Sequence, residues 1–260
     1  MPAIAMTLLG LATFGLAAFG PAGNPLLATA AEELKLADSR AGLAKALDPG
    51  EAKDKALAGA LKAYDLLLKR YPKDLKLVPR LRRRRAGLFK HAGRIEEAIA
   101  EHDRIVEGRA RRKDKARALY DAAVLLRRAD RPAEADRRLV RALEDYKDIA
   151  GVRAKALLAR GEILCSKGKT REARRVWEEL TRRCRDEAKT AIAGYDALAL
   201  LALDEGDAKG ARRWLERCVR CYGKRAERAD RRGAFLSRQL GEMKAPARLA
   251  EVEAGGTKGG

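Results

Sequence analysis

Residues 93–98, Gly-Arg-Ile-Glu-Glu-Ala, carry the pattern that decides the fold of this chain, because the pattern returns along the sequence. Its final alanine recurs at intervals of 38, 37, 38 and 38 residues, as Ala60, Ala98, Ala135, Ala173 and Ala211. A fixed period of this length in a helix-favouring sequence predicts stacked supersecondary units. The chain of 260 residues is therefore expected to form a repeat array.

Each unit is predicted to be a helix, a tight turn and a second helix. Residues that tolerate a left-handed helix end stand five positions before the last four alanines: Gly93, Asp130, Gly168 and Gly206. Twelve positions before the same alanines the residues are small, which lets two antiparallel helices cross closely: Ala86, Ala123, Gly161 and Ala199. In the second unit, Ile95, Ala98 and Ile105 fall on one helical stripe.

The two ends of the array are predicted to differ from its middle. The first unit is expected to have helices over 32–47 and 51–71, joined by a turn at 48–50. The repeats together span 31–222. A capping helix is predicted over 223–245, because a solenoid needs a polar end for solubility. Residues 246–260 are expected to be a disordered tail.

The repeated pattern resembles that of tetratricopeptide repeats over about residues 51–222. The resemblance implies an all-α solenoid, a right-handed superhelix of about five helix-turn-helix repeats that binds proteins and is not an enzyme. The period exceeds the usual 34 residues of these repeats. Arg82 and Arg85 stand where a large residue is typical, so the second repeat is expected to pack loosely or to border solvent. The longer period is similar to that of tetratricopeptide proteins of the cell envelope.

The first 31 residues contain no charged side chain. An apolar run over 3–19 is followed by a small-x-small site at Ala28-Thr29-Ala30, which is the outline of a secretory signal peptide. Residues 1–30 are therefore predicted to be a signal peptide, and the mature chain to be periplasmic or in the cell envelope. No Lys or Arg precedes the apolar run, so an uncleaved N-terminal anchor stays open as the alternative. Ala31 stands where a lipoprotein needs Cys, which argues against a lipid anchor.

The chain is strongly basic, with 57 Lys and Arg against 37 Asp and Glu and a net charge of +20. Much of this charge lies between residues 80 and 160. In tetratricopeptide proteins the first helices of successive repeats line a concave groove. Mapping this sequence onto that groove gives eight predicted partner-binding residues: Arg80, Arg83, Lys90, Arg117, Tyr120, Arg127, Arg128 and Lys155.

The predicted function is a protein-interaction scaffold that holds an acidic segment of a partner in this basic groove, since Arg binds carboxylates through two parallel hydrogen bonds. Solvated arginines without a ligand are the plain alternative. Two further alternatives stay open: charge-driven binding of a polyanion, and a subunit of an outer-membrane assembly complex. Few aromatic residues accompany the arginines, which argues against nucleic acid. The groove is expected to become mildly acidic at Glu162, Asp196 and Asp204.

Other candidate sites in the sequence are weak. The four cysteines are predicted to be small apolar residues, because Cys165 and Cys184 fall at opposite ends of one helix pair and cannot bond. Cys218-x-x-Cys221 lacks a second ligand pair for zinc. His102 occupies a packing position. No catalytic constellation, metal cluster or phosphate-binding loop is found, so neither a catalytic role nor a cofactor is predicted.

Overall fold

The computed structural model describes residues 30–228 of the chain, with side chains to Gly223, and every regular element in this range is a helix. The helices, numbered in chain order, are α1 Ala30–Ala46, α2 Glu51–Arg70, α3 Leu77–His91, α4 Ile95–Glu107, α5 Arg112–Arg128, α6 Pro132–Asp145, α7 Ala150–Ser166, α8 Thr170–Arg183, α9 Ala188–Asp204 and α10 Ala208–Arg228. They form five consecutive pairs, which we number as repeats 1 to 5. The predicted all-α repeat architecture is confirmed.

The chain divides into two compact units, one ending at Leu67 and the other beginning at Leu68. Within the first unit, the Tyr64 hydroxyl donates a hydrogen bond of 2.6 Å to the Asp38 carboxylate, linking α2 to α1. The helices predicted over 32–47 and 51–71 are confirmed, and their observed bounds differ by at most two residues.

The second unit contains repeats 2 to 5. Each helix from α3 to α10 packs against the next one along the chain. In addition, α5 packs on α7 and α7 packs on α9, so the first helices of repeats 3, 4 and 5 lie side by side. The helices α3 and α5 share fewer close backbone approaches than these pairs, and a pocket lies between them.

Four equivalent turns join the two helices of repeats 2 to 5. Gly93, Gly168 and Gly206 have φ values of 74°, 72° and 78°, and Asp130 takes the same place with φ of 55°. The backbone N–H after each turn residue donates to the carbonyl five positions earlier, as from Arg94 to Phe89 at 2.9 Å. This bond is typical of a helix end closed by a left-handed residue. The predicted turn residues are confirmed.

The recurring alanines are fully buried. Each of the five has no exposed surface: Ala60, Ala98, Ala135, Ala173 and Ala211. A larger side chain at such a position would separate two helices that cross closely, because protein interiors leave few voids.

The last described helix, α10, contains a break at Gly223, whose φ of 33° and ψ of −117° are not helical. This break coincides with the predicted start of the capping helix. The remainder of that helix from residue 229, the tail over 246–260 and the N-terminal segment over 1–29 lie outside the described residues.

Candidate functional site: a basic pocket between repeats 2 and 3

A buried glutamate on α4 pairs with two arginines of α3. The side chain of Glu101 has no exposed surface, and its carboxylate lies 3.3 Å from the Arg82 guanidinium and 3.4 Å from the Arg85 guanidinium of α3. It also pairs with Arg104 on its own helix. Arg82 and Arg85 therefore turn inward and fill the helix contact with an ion cluster, where loose packing or a solvent border was expected. Arg80 and Lys90 lie on another face of the same helix.

That other face of α3 forms one wall of a pocket of about 610 Å³, which we call the basic pocket. The opposite wall is α5, and His102 of α4 also lines it. Six cationic side chains line the basic pocket against one acidic side chain, Asp121. The full lining is Arg80, Arg83, Arg84, Ala86, Gly87, Lys90, His102, Arg117, Tyr120, Asp121, Val124, Leu125 and Arg128.

The structure brings six of the eight predicted partner-binding residues to this pocket: Arg80, Arg83, Lys90, Arg117, Tyr120 and Arg128. The other two lie elsewhere. Arg127 forms an ion pair with Glu162 of α7, and Lys155 is an exposed residue of α7 outside the pocket lining. The tetratricopeptide resemblance had placed both residues in the groove, and it does not reveal that Arg127 has a partner 35 residues away in sequence.

Five of the six cations of the basic pocket fall into two groups. Arg83 binds Asp114 at 3.0 Å, and Arg117 lies 3.6 Å from Asp121. By contrast, none of the described carboxylates lies within ion-pair distance of the cationic groups that belong to Arg80, Lys90 and Arg128. These three side chains are also solvent-exposed, so their charge is available to a ligand.

His102 supplies an uncharged polar group to the same pocket. Its side chain is buried, with only 6% of the residue exposed, and its Nδ1 atom has no hydrogen-bond partner. Burial lowers the pKa of His102 to about 4; Asp103 opposes this shift, and the charges of Arg83, Arg138 and Arg117 reinforce it. The imidazole is therefore neutral at pH 7 and can exchange a hydrogen bond with a bound group. The sequence identified His102 as a packing residue and missed this second feature.

Burial also changes the chemistry of two residues of α5 in the basic pocket. It raises the pKa of Tyr120, so the phenol stays protonated and can donate a hydrogen bond. It raises the pKa of the Asp121 carboxyl as well, and the nearby charge of Arg117 opposes that shift. Tyr120 is the one aromatic residue in the lining. The pocket is therefore suited to carboxylate recognition more than to base stacking.

A second pocket, of about 760 Å³, lies between the first helices of repeats 4 and 5. We call it the apolar pocket; its lining is Leu158, Glu162, Cys165, Ser166, Trp177, Ala193, Asp196, Ala197, Leu200, Leu201 and Asp204. The three acidic residues that were expected to end the groove all belong to it. The sequence did not indicate that Trp177 and Leu200 would join them.

The two pockets occupy equivalent places, because their lining residues lie 75 or 76 positions apart. Arg83, Lys90 and His102 correspond to Leu158, Cys165 and Trp177. On the opposite wall, Arg117 corresponds to Ala193 and Arg128 to Asp204. The same backbone site is thus basic in its first copy and apolar with an acidic rim in its second.

The four cysteines form no disulfide. Cys184 and Cys218 are buried, and burial raises the pKa of the Cys218 thiol to about 12, so this side chain behaves as a small apolar residue. Within residues 30–228, the metal-binding side chains do not gather into a candidate metal site. In the same range no helix is both long and apolar enough for a membrane span.

Several solved structures are similar to this chain. A crystal structure of MamA protein is 18% identical, with a TM-score of 0.50, and the match covers 77% of this chain and 95% of that one. A thermophilic TPR protein of Thermus thermophilus is 20% identical, with a TM-score of 0.45, over 82% of this chain and 99% of that one. No family model and no curated protein matches the sequence. At 18% identity the likeness to the MamA protein shows the fold alone, and that fold agrees with the tetratricopeptide-repeat fold that the repeated helix pairs and their turns predict.

Proposed function

We propose that this chain with the tetratricopeptide-repeat fold is a non-enzymatic scaffold whose basic pocket holds an acidic segment of a partner protein. One observation carries the proposal: Arg80, Lys90 and Arg128 line a single pocket, and none of them has a carboxylate partner among the described residues. A cluster of unpaired like charges raises the energy of the free protein, and a bound anion relieves that repulsion.

The walls of the pocket favour a carboxylate. An arginine fork can make two parallel hydrogen bonds to one carboxylate, and such charge-assisted bonds are worth about 1.5–3 kcal/mol each. His102 and Tyr120 add neutral groups that can satisfy a further oxygen of the ligand. A segment with two or three Asp or Glu residues would therefore meet both charged and neutral partners in one place.

Charge-driven binding of a polyanion is the competing function, and the net charge of +20 favours it. The two functions differ in how strongly the affinity depends on salt and on which cations of the surface are removed. When charge alone holds a single-stranded polyanion, the binding constant falls steeply with salt. The slope of its logarithm against the logarithm of the salt concentration is about −0.7 for each neutralised phosphate. A ligand packed in the basic pocket would lose part of its affinity with salt and keep the remainder.

The experiment compares two triple variants that remove the same charge. Arg80→Ala, Lys90→Ala and Arg128→Ala alter the basic pocket. Arg109→Ala, Lys113→Ala and Arg182→Ala alter exposed cations outside it that also lack a carboxylate partner among the described residues. The two probes are a fluorescent synthetic Asp/Glu-rich peptide and a thymidine oligonucleotide, each titrated by fluorescence anisotropy at low and high salt.

We expect the pocket variant to bind the acidic peptide about 100-fold more weakly, because it loses at least two charge-assisted contacts. The control variant should stay within about threefold of the wild type, since rim charges act mainly through long-range attraction. Equal losses in both variants, with the oligonucleotide bound as well as the peptide, would overturn the pocket proposal and favour the polyanion function.

We further propose that the chain is exported to the cell envelope. The support is the uncharged segment over residues 1–31 with its small-x-small site at Ala28-Thr29-Ala30. Fractionation of expressing bacterial cells, followed by intact mass measurement, tests this location. A chain that begins at Ala31 in the envelope fraction is expected. The uncleaved chain in the membrane fraction would indicate a retained anchor, and the uncleaved chain in the cytosol would contradict export.

A further inference from the structure

The apolar pocket is a second potential binding site on the same face of the helix array as the basic pocket. Its walls are α7 and α9, which follow α3 and α5 by two repeats. Leu158 and Leu200 line these walls, and Trp177 of α8 lines the pocket as His102 does in the basic pocket. Leu200 has 44% of its surface exposed, so its side chain is accessible to a ligand in the pocket.

The rim of the apolar pocket carries negative charge. Asp204 takes the place that Arg128 has in the basic pocket, and none of the described cations lies within ion-pair distance of its carboxylate. Glu162 is partly neutralised by Arg127, whose α5 also forms a wall of the basic pocket. The charge along this face therefore changes sign from Arg128 in repeat 3 to Asp204 in repeat 5.

The repeat geometry sets the distance between the pockets. One lies between α3 and α5, and the other between α7 and α9, so their centres are separated by two helix spacings. With packed helix axes about 10 Å apart, this separation is about 20 Å. An extended chain covers about 3.3 Å per residue, so about six residues would connect the two pockets.

We propose that the ligand is a bipartite segment of a partner protein. Its acidic element occupies the basic pocket, and a large apolar side chain about six residues away occupies the apolar pocket. A Lys or Arg beside that apolar side chain pairs with Asp204. The charge pattern of the face supports this occupant, because it is complementary to a segment that is acidic at one end and apolar and basic at the other. The inference rests on the proposed function of the basic pocket.

Selection from a displayed library of random peptides tests the inference on the full-length chain. Three targets are used: the wild type, the Leu200→Glu variant, and the variant with Arg80→Ala, Lys90→Ala and Arg128→Ala. Leu200 is half exposed, so glutamate, a good helix former, should leave α9 intact. Circular dichroism and the conservative Leu200→Met variant control for the fold.

The wild type should select peptides with an acidic cluster and an apolar residue about six positions apart. The Leu200→Glu variant should keep the acidic cluster and lose the positioned apolar residue, while the triple variant should lose the acidic cluster. Acidic peptides without a positioned apolar residue would overturn this inference and leave the function of the basic pocket standing. No acidic enrichment would overturn both.

Fluorescence of Trp177 provides a direct readout of the apolar pocket. The chain has two tryptophans, so Trp214→Phe leaves Trp177 as the sole tryptophan, which can be excited selectively over the tyrosines. A selected peptide should shift the emission of Trp177. The same peptide with its apolar residue replaced by Ser should bind about 10- to 100-fold more weakly, because the transfer of one apolar side chain is lost.

Unchanged Trp177 emission under saturating peptide would overturn the inference even if the peptide binds. A second copy of this chain is the other candidate occupant, and sedimentation equilibrium separates the two. A wild type that self-associates, together with a monomeric Leu200→Glu variant, would show that the pocket takes a second copy and would overturn the bipartite ligand.

Discussion

Repeats 2 and 4 have the same backbone plan and are filled by opposite kinds of side chain. In repeat 2 the contact between the paired helices contains the ion pair of Arg82 and Glu101. The equivalent residues of repeat 4 are Leu157, which is buried in an apolar cluster, and Val176, which packs against that cluster. The two helices are joined by the same left-handed turn in both repeats. This repeat plan therefore accepts a charged or an apolar contact, provided that each buried charge finds an opposite charge.

A second difference lies one residue further along the second helix. His102 of repeat 2 and Trp177 of repeat 4 are equivalent, and each lines the pocket of its repeat. The small residue on the first helix changes as well: it is Ala86 in the repeat of His102 and Gly161 in the repeat of Trp177. A larger side chain on one helix is thus matched by a smaller one on the other. The two pockets differ because these side chains differ, while the turn and the recurring alanine stay the same.

The largest expected effect follows from breaking the charged contact of repeat 2. Glu101→Ala leaves Arg82 and Arg85 in the helix contact without their carboxylate. Removing one member of a buried ion pair typically lowers the free energy of unfolding by about 3–5 kcal/mol. Val176→Ala is the matched control in repeat 4, where the loss should be about 1 kcal/mol, because it deletes only methyl groups from a partly buried side chain.

Urea unfolding measures both losses, and hydrogen exchange shows which helices lose protection, since repeat arrays can unfold in parts. We expect α3 and α4 to lose protection in Glu101→Ala. Similar losses for the two variants would mean that the ion cluster is solvated and contributes no more than an ordinary contact.

The second prediction uses pH to separate the two repeats. Because the pKa of His102 falls from 6.5 to about 4 on folding, the unfolded chain binds a proton at a higher pH than the folded chain does. The stability contributed by the neutral, buried imidazole is complete above pH 6.5 and is lost as pH falls toward 4. A shift of this size corresponds to about 3 kcal/mol. Trp177 has no such titration.

His102→Leu is the appropriate comparison, because Leu139 and Leu215 occupy the equivalent positions in repeats 3 and 5. Between pH 6.5 and 4 the wild type should lose about 3 kcal/mol more of its unfolding free energy than this variant does. Carboxylates titrate in the same range, but they do so in both proteins and cancel in the difference. Parallel curves of stability against pH would show that folding does not lower the pKa of His102.

Periodicity predicted the parts of the fold that depend on local sequence. The turn residues and the five buried alanines repeat at fixed intervals, so their roles could be recognised from the chain alone. The resemblance to tetratricopeptide repeats implied which residues of α3 and α5 would share a face. Six of the eight predicted residues therefore line one pocket.

Ion pairs between helices could not be predicted in this way. Nothing in the sequence around Arg127 indicates an ion pair. Its side chain nevertheless pairs with Glu162 of the next repeat. Arg82 and Arg85 were expected to weaken the second repeat, because a charged side chain in a helix contact is favourable only when a buried partner exists. That partner, Glu101, lies on the other helix, and the sequence does not show that its side chain points inward. Whether an arginine has a carboxylate partner therefore depends on tertiary contacts.

The smallest effect is expected from exchanging the small residues of the two repeats. A Cβ atom added at Gly161 would lie 2.1 Å from Nε1 and 2.5 Å from Cε2 of Trp177. The indole cannot move freely, because its N–H donates to the Leu158 carbonyl at 3.2 Å. Gly161→Ala should therefore destabilise the chain by about 1–3 kcal/mol through overpacking, although alanine is the better helix former. Ala86→Gly in repeat 2 should lose only about 1 kcal/mol, the difference in helix propensity.

The double variant Gly161→Ala with Trp177→Leu decides whether this steric explanation is correct. It recreates the pair of Ala123 and Leu139 in repeat 3, which is buried without a clash. The clash is absent from the double variant, so urea unfolding should show that the penalty of Gly161→Ala disappears once Trp177 is removed. The losses of unfolding free energy in the two single variants should then add up to more than the loss in the double variant. The expected difference is about 1–3 kcal/mol, the size of the overpacking penalty. Additive losses would mean that Trp177 and Gly161 do not constrain each other, and that the apolar pocket owes its shape to other residues.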